Sequence, residues 1–175
     1  MDWKTTIRTV PDYPQPGVQF RDITPLLQHA QHFNAMVDAL AAHYVHMPLD
    51  KIVAVEARGF IIGAALASKL RLGLALARKP GKLPAAHLSE HYHLEYGDDQ
   101  LQMHTDAISA GERILLVDDL VATGGTALAA IRLIQRLGGQ VAHAACVIAL
   151  PELGGMQQLQ QQGIQAFALC AFDGH

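Results

Sequence analysis

Two adjacent carboxylates and a glycine-containing turn occur close together in the second half of the chain. Residues 114–126 read ILLVDDLVATGGT, in which an apolar run delivers Asp118 and Asp119 and a short spacer leads to Thr123-Gly124-Gly125-Thr126. Glycines let backbone N–H groups approach a ligand, a helix N-terminus adds partial positive charge, and threonine hydroxyls add donors. Such a turn suits a phosphomonoester. The carboxylates can accept hydrogen bonds from a vicinal diol or lie near a metal-bound polyphosphate.

Simpler explanations exist for each half of this pattern. The acidic pair could be no more than a strand terminus, and the TGGT run no more than a helix cap with a flexible turn. The whole pattern is much harder to obtain from packing alone. Neither GxxxxGK[ST] nor GxGxxG after a predicted strand occurs in the chain, which argues against a P-loop NTPase and a nicotinamide-dinucleotide enzyme.

A second feature is an interval without acidic residues. No Asp or Glu occurs from Ala57 to Ser89. Six of the thirteen basic residues lie there: Arg58, Lys69, Arg71, Arg78, Lys79 and Lys82. The interval is either a solvated basic face with acidic partners elsewhere in space or a cradle for a small polyanion.

Length and composition indicate the kind of protein that positions these groups. The 175 residues are 50% hydrophobic and 17% charged, which favours one domain over residues 1–175 and excludes a disordered chain. The net charge of −3 argues against a general nucleic-acid surface. The best apolar runs are ten residues long (59–68 and 141–150), about half of a membrane span. Because residues 1–10 lack the apolar region of a secretion signal, we expect a cytoplasmic protein with no membrane partner.

Short apolar runs alternate with helix-like segments. The predicted strands are Lys51–Glu56, Gly73–Arg78, Arg113–Asp119, Val141–Leu150 and Gln165–Ala171, and the predicted helices cover about 31–46, 59–70, 126–137 and 152–162. Strands that are apolar throughout and separated by helices indicate a parallel sheet covered on both faces. The predicted fold class is α/β, with a Rossmann-like parallel sheet and flanking helices. Ligands of such sheets bind beyond the carboxyl ends of the strands.

Two segments interrupt the alternation. Residues 11–27 contain four prolines and a glycine, too many for a helix or a central strand, so we expect an ordered loop within an N-terminal arm of about 1–30. Residues 79–105 form an insertion in which His91–Tyr96 and Gln100–Thr105 flank Gly97-Asp98-Asp99. This pattern predicts a β-hairpin, and an insertion of that length is often a lid.

The motifs together resemble the type I phosphoribosyltransferases. Residues 117–126 (VDDLVATGGT) are similar to that family's phosphoribosyl pyrophosphate motif. The stretches that are similar to its adenine-using members are PGVQFRDITPLL at 16–27, EARGFIIGAALA at 56–67, ARKPGKLP at 77–84 and LEYG at 94–97. The resemblance covers essentially the whole chain. It implies the type I phosphoribosyltransferase fold and conversion of adenine and 5-phosphoribosyl 1-pyrophosphate to AMP and pyrophosphate.

The resemblance also implies roles for the polar residues. The groups that would bind the 5-phosphate are Ala122, Thr123, Gly124, Gly125 and Thr126, and those that would accept from the ribose hydroxyls are Asp118 and Asp119. The groups that would bind pyrophosphate are Arg58, Arg78, Lys79, Lys82 and Tyr96. Cations there would stabilise the charge that develops on the leaving group. Lys69 and Arg71 stay with the solvated-face explanation. The resemblance further implies a non-proline cis peptide near Glu56-Ala57-Arg58.

Proton transfer and base recognition follow from the same resemblance. Glu95 of LEYG would be the catalytic carboxylate, although composition alone would place it on the exposed face of a hairpin. Phe20 would stack on adenine, the backbone around Gln19 and Arg21 would face its hydrogen-bonding edge, and Leu150 would cover the opposite face. Phe20 could instead simply fasten the arm. The chain departs from many relatives at His93 and Gln19, which would affect lid closure or affinity.

The implied cofactor is Mg²⁺, held mainly by substrate phosphate and ribose oxygens and by water. The chain has no HExxH motif, and its HxH pair, His91 and His93, lies near His87 in the lid insertion. We predict no metal bound by protein side chains alone. The resemblance implies a homodimer and no nucleic-acid partner. Two other functions stay open at this point: a transferase for 6-oxopurines, and a non-catalytic sensor of phosphoribosyl pyrophosphate.

Overall fold

A twisted parallel sheet forms the centre of the molecule. The computed structural model describes residues 1–94 and 97–174. Within those ranges the strands are β1 (Arg8–Pro11), β2 (Gln19–Asp22), β3 (Lys51–Val55), β4 (Gly73–Ala77), β5 (His87–Leu94), β6 (Gly97–His104), β7 (Arg113–Val117), β8 (Leu120–Val121), β9 (Gln140–Ala149) and β10 (Gln165–Ala171). The α-helices are α1 (Thr24–Gln28), α2 (Ala30–Tyr44), α3 (Arg58–Leu70), α4 (Gly125–Arg136) and α5 (Gly155–Gln161), with 3₁₀ turns at Trp3–Thr6 and Pro151–Leu153.

The strand order of the central sheet is β10-β9-β7-β3-β4, and each neighbouring pair is parallel. The short strand β8 also runs parallel to β9. This arrangement confirms the predicted α/β class. None of the helices in the described ranges has the length and apolar character needed to cross a membrane.

Alternation along the central strands builds a core on each face of the sheet. Val53 and Leu116 point into the cluster that includes α4, whereas Ile52 and Leu115 point into the cluster that includes α2 and α3. Successive side chains of a strand face opposite sides, so strands that are apolar at every position are what two covered faces require. The polar groups are therefore confined to the strand ends.

The arm is more regular than the sequence predicted. β1 and β2 pair as an antiparallel hairpin, and α1 follows at Thr24. The prolines are accommodated at the end of β1, in the loop and near the first turn of α1, where a missing N–H costs little. The ordered loop expected over 11–27 thus contains the strand β2 and most of α1.

The lid insertion is a longer hairpin than predicted. β5 and β6 pair from His87↔His104 to Leu94↔Gly97, so Gly97, Asp98 and Asp99 belong to the second strand and not to the turn. The predicted turn was therefore placed too late in the sequence. Residues 95 and 96, which connect the strands, lie outside the described ranges. The last predicted helix, 152–162, also begins later than expected, at Gly155, after the 3₁₀ turn that contains Glu152.

Candidate active site

A cavity of about 310 Å³ opens at the carboxyl ends of β3 and β7. Its lining consists of residues 55–58, Lys79 and residues 118–127. This is the position where ligands of open parallel sheets bind. The structure therefore brings together the acidic pair, the TGGT turn, Arg58 and Lys79, which are spread over 69 positions of the chain (58 to 126).

The TGGT turn leads directly into α4. Gly124 caps the helix with φ +88°, a left-handed conformation that other residues adopt only with strain. None of the hydrogen bonds found among the described residues uses the backbone N–H of residues 123 to 126 as donor. Donors at a helix N-terminus without partners, facing a cavity, form an anion site.

The N-terminus of α5 supports this turn from behind. The Gly155 N–H donates to the Ala122 carbonyl at 2.9 Å. An added Cβ at Gly155 would lie 2.3 Å from that carbonyl oxygen and 2.7 Å from the Gly124 nitrogen. Gly155 could not be identified from the sequence, because its role depends on packing between segments that are distant in sequence.

The two carboxylates lie at the floor of the cavity. The Asp119 side chain is buried, and its Oδ2 lies 2.9 Å from Arg58 Nε without forming a hydrogen bond. Asp118 Oδ1 accepts the backbone N–H of Asp119 at 2.8 Å. Burial raises the pKa of Asp118 well above its usual value, with a further contribution from the charge of Asp119. Burial also raises the pKa of Asp119, although the Arg58 guanidinium opposes that change.

Arg58, the first residue of α3, connects the main cavity with a second one. Its guanidinium lies 5.0 Å from the centre of the Phe20 ring, and the Tyr13 ring packs edge-on against Phe20 at 5.2 Å. The second cavity, of about 340 Å³, is lined by Val10, Tyr13, Phe20, Asp22, Thr24 and Arg58. An aromatic face next to the anion site is suited to a flat base. The peptide bond between Glu56 and Ala57 is cis, as the resemblance implied.

The basic residues of the acid-free interval separate into distinct positions. Lys79 lines the main cavity and forms an ion pair with Asp99. Arg78 Nε lies 3.2 Å from Glu56 Oε2, and Arg78 Nη1 donates to the Lys82 carbonyl at 3.3 Å. Arg78 and Lys82 line a neighbouring cavity of about 390 Å³ and not the main one. In this structure only part of the predicted cationic group faces the phosphate turn.

Glu56, which itself lines the main cavity, holds Arg78 through this ion pair. Burial acts to raise the pKa of Glu56, but the Lys79 backbone N–H and the Arg78 side chain outweigh burial, and the pKa is lowered. Glu56 was not selected from the sequence. Outside the site, Lys69 forms an exposed ion pair with Asp38 at 2.9 Å, and Arg71 is exposed, as expected for a solvated face.

The remaining predicted residues differ in how closely they approach the cavity. Gln19 and Arg21 flank Phe20 on β2, and the Arg21 side chain turns toward the Asp173 carbonyl, to which it donates at 3.1 Å. Leu150 is buried and its N–H donates to Val121 O at 3.0 Å, but its side chain does not line the main cavity. The predictions for Glu95 and Tyr96 fall on residues outside the described ranges.

Within the described ranges, no three His, Cys, Asp or Glu side chains converge to hold a metal ion. Three carboxylates line the cavity: Glu56, whose Oε2 accepts from Arg78 and Lys79, and the Asp118–Asp119 pair, which includes the buried Asp119 Oδ2 without a hydrogen bond. Mg²⁺ is commonly bound by one or two carboxylates together with substrate phosphates and water. The residues therefore fit a Mg²⁺ ion that arrives with a phosphorylated substrate.

Comparison with known proteins gives consistent matches. The phosphoribosyl transferase domain model matches residues 27–159. Adenine phosphoribosyltransferase from Yersinia pseudotuberculosis is 52% identical over 172 residues, 98% of this chain and 92% of that protein. The crystal structure of adenine phosphoribosyltransferase from Thermoanaerobacter pseudethanolicus superposes with a TM-score of 0.93 at 45% identity, covering 97% of each chain. The Saccharomyces cerevisiae enzyme, complexed with an imino-altritol bisphosphate and adenine, gives 0.89 at 33% identity, covering 95% of this chain and 96% of that one.

Proposed function

Because the chain belongs to the phosphoribosyl transferase family, and within it to the adenine phosphoribosyltransferases, we propose that its main cavity holds phosphoribosyl pyrophosphate for attack by adenine. The enzyme converts these substrates to AMP and pyrophosphate, a salvage reaction for adenine. The bond between ribose C1 and the pyrophosphate oxygen breaks, and a bond between C1 and adenine N9 forms. The N9 proton leaves the base.

The TGGT turn binds the 5-phosphate. Backbone N–H groups of residues 123 to 126, which have no acceptor among the described hydrogen bonds, surround its oxygens at the N-terminus of α4. The fixed turn supplies these donors without reorganisation during the reaction. Asp118 and Asp119 accept from the ribose 2- and 3-hydroxyls, which fixes C1 with respect to the leaving group.

Cations assist departure of pyrophosphate. Arg58 and Lys79, which line the main cavity, stabilise the negative charge that grows on the leaving group in the transition state. Arg78 and Lys82 reach pyrophosphate when Arg78 leaves Glu56, and Tyr96 closes over it. When Mg²⁺ is bound, mainly through substrate phosphate and ribose oxygens and water, it supplies further positive charge beside the pyrophosphate.

The base binds in the second cavity, against Phe20. The ring supplies stacking area, and the backbone at Gln19 and Arg21 distinguishes an amino group from an oxo group at position six. Leu150 lines neither cavity, and it covers the opposite face only when the base extends beyond the second cavity toward β9. Glu95 accepts or shares the N9 proton when the lid excludes water.

We further propose that the enzyme is a cytoplasmic homodimer. Ile61 of α3 and Leu74 of β4 are large apolar side chains with exposed fractions of 44% and 39%. Apolar groups exposed on adjoining elements are typical of a subunit interface. Sedimentation velocity tests this point: a particle of about twice 18.9 kDa supports the dimer, and a monomer at micromolar concentration contradicts it.

The observation that carries the proposal is that the TGGT amides, which have no acceptor among the described residues, line the same cavity as Asp118 and the buried Asp119. The test is a reaction containing the protein, Mg²⁺, phosphoribosyl pyrophosphate and equal concentrations of adenine, hypoxanthine and guanine. We expect AMP as the main nucleotide, in an amount equal to the pyrophosphate released. IMP or GMP as the main product, or no nucleotide from a folded protein, would contradict the proposal.

A further inference from the structure

The Lys79 ammonium takes part in a three-membered polar network. It donates to Tyr92 Oη at 2.9 Å and to the carboxylate of Asp99. Tyr92 Oη in turn donates to Asp99 Oδ2 at 3.0 Å. Tyr92 and Asp99 are directly opposite each other on β5 and β6. The network therefore joins the segment that follows β4 to the part of the lid hairpin near its turn.

Asp99 itself is held in place. Its Oδ1 accepts the backbone N–H of Gln100 at 2.8 Å, and its side chain is 26% exposed. Burial acts to raise the pKa of Asp99, but the hydrogen bond from Lys79 and those from Gln100 and Tyr92 outweigh burial, and the pKa is lowered. The pair thus stays ionised, with a carboxylate fixed at one side of the ammonium.

Tyr92 connects the same network to the phosphate turn. Its side chain is buried, and an ideal Cβ at Gly125 would lie 3.6 Å from Tyr92 Cδ2 and 3.0 Å from the His93 carbonyl. Tyr92 therefore lies close to the turn that binds the 5-phosphate. The network contacts the main cavity at two points, Lys79 and Gly125, both of which line it.

The number of donors on Lys79 indicates what the network does. An ammonium group has three N–H donors. Two are used by Tyr92 and Asp99, and the described residues supply no acceptor for the third. Holding two donors fixes the direction of the third and lowers the conformational entropy that the long side chain loses when it binds a ligand.

We propose that Asp99 is a positioning residue for pyrophosphate: through Lys79, and together with the Tyr92 hydroxyl, it directs one ammonium N–H toward the pyrophosphate of the substrate. The inference rests on the proposed function, because Lys79 is the group that meets the leaving group. Asp99 does not touch the substrate. Its contribution is confined to the pyrophosphate end of the cavity.

A purely electrostatic account predicts the opposite effect. Removing the negative charge of Asp99 leaves Lys79 uncompensated, and a less negative cavity attracts a polyanion more strongly. If Asp99 orients Lys79, removing its charge weakens pyrophosphate binding; if only the net charge matters, removing it strengthens that binding. Steady-state kinetics can separate these two cases.

The test compares Asp99→Asn with Asp98→Asn. Asp98 is the adjacent residue of the same strand and has the same charge, but its side chain is 69% exposed and pairs with His93. For Asp99→Asn we expect the KM for phosphoribosyl pyrophosphate and the inhibition constant of pyrophosphate to rise about tenfold, as for a lost hydrogen bond to a charged group. The KM for adenine and the inhibition constant of AMP should change less than about twofold, and Asp98→Asn should stay within about twofold throughout.

Two conservative variants distinguish a specific effect on pyrophosphate binding from a general loss of folded protein. Tyr92→Phe removes only the hydroxyl and should give a smaller change in the same two constants, and Asp99→Glu should restore part of the pyrophosphate affinity. Unchanged or tighter pyrophosphate binding in Asp99→Asn, or an equal change in Asp98→Asn, would overturn the inference. So would a loss of kcat with every KM unchanged, which a merely structural role predicts. Absence of AMP formation by the unmodified enzyme would instead refute the proposed function.

Discussion

Replacement of Asp118 by Asn tests whether the ribose-binding carboxylates are held at the expense of stability. The Asp118 carboxyl lies next to Asp119. Burial raises the pKa of Asp118 well above its usual value, and the negative charge of Asp119 raises it further. Arg58 Nε lies 2.9 Å from Asp119 Oδ2, so that cation compensates Asp119 directly. The ionised form of Asp118 is therefore less favourable in the folded chain than in the unfolded one.

The size of the effect follows from what Asn retains. Its side-chain oxygen can accept the Asp119 N–H that Asp118 Oδ1 accepts at 2.8 Å, and its shape is nearly the same. Only the charge is lost. Removal of this poorly solvated charge should raise the free energy of unfolding by about 1–2 kcal/mol. For a domain of this size that corresponds to a rise in melting temperature of roughly 2–8 °C.

The gain should depend on pH. Because the folded pKa of Asp118 is raised above its unfolded value of 3.8, the carboxyl carries no penalty below the unfolded value. The penalty grows between the unfolded and the folded pKa, where only the unfolded chain has lost the proton, and it is constant above the folded pKa. The difference in melting temperature between Asp118→Asn and the unmodified protein should follow the same course.

The assay is thermal unfolding of both ligand-free proteins over a pH series, together with the KM for phosphoribosyl pyrophosphate. That KM should rise about tenfold, since one acceptor for the ribose diol becomes a donor. A variant that is no more stable than the unmodified protein at neutral pH would refute this reasoning. A gain that is equal at every pH would show that charge is not its source.

Three further substitutions probe other parts of the site. Glu95→Gln should lower kcat about 100-fold or more with the KM for phosphoribosyl pyrophosphate nearly unchanged in a steady-state assay; full activity would exclude Glu95 from proton transfer. Gly155→Ala should lower the melting temperature and weaken AMP binding, since its Cβ would lie 2.3 Å from the Ala122 carbonyl. The control is Gly73→Ala, whose Cβ would approach its nearest neighbour at 3.5 Å, and equal effects would contradict the clash. Phe20→Ala should raise the KM for adenine about tenfold and leave that for phosphoribosyl pyrophosphate unchanged; the reverse pattern would place the base elsewhere.

The central sheet could be predicted from the sequence because its signals are local. β3 and β7 are apolar at nearly every position, and the predicted strand bounds differ from the observed ones by only one or two residues. The lid turn could not be placed in the same way. Gly97-Asp98-Asp99 has turn-like residue types, but Asp99 pairs with Tyr92 across the hairpin, and that pairing decides where the turn falls.

The candidate site likewise contains some residues with a local sequence signal and others without one. One continuous segment contains a strand, two carboxylates and a helix N-terminus, so the phosphate turn and the acidic pair could be recognised without tertiary information. Arg78 could not be placed, because its direction depends on Glu56, 22 positions earlier in the chain. Nothing in the sequence indicated that Asp99 or Gly155 belongs to the site, since each acts through a contact with a segment that is distant in sequence.

The most direct test of the account is a crystal structure of the protein with AMP and pyrophosphate. We predict the 5-phosphate on the backbone N–H groups of residues 123 to 126, the ribose hydroxyls on Asp118 and Asp119, and adenine against Phe20. A nucleotide bound elsewhere, with the TGGT turn making no contact to phosphate, would contradict it.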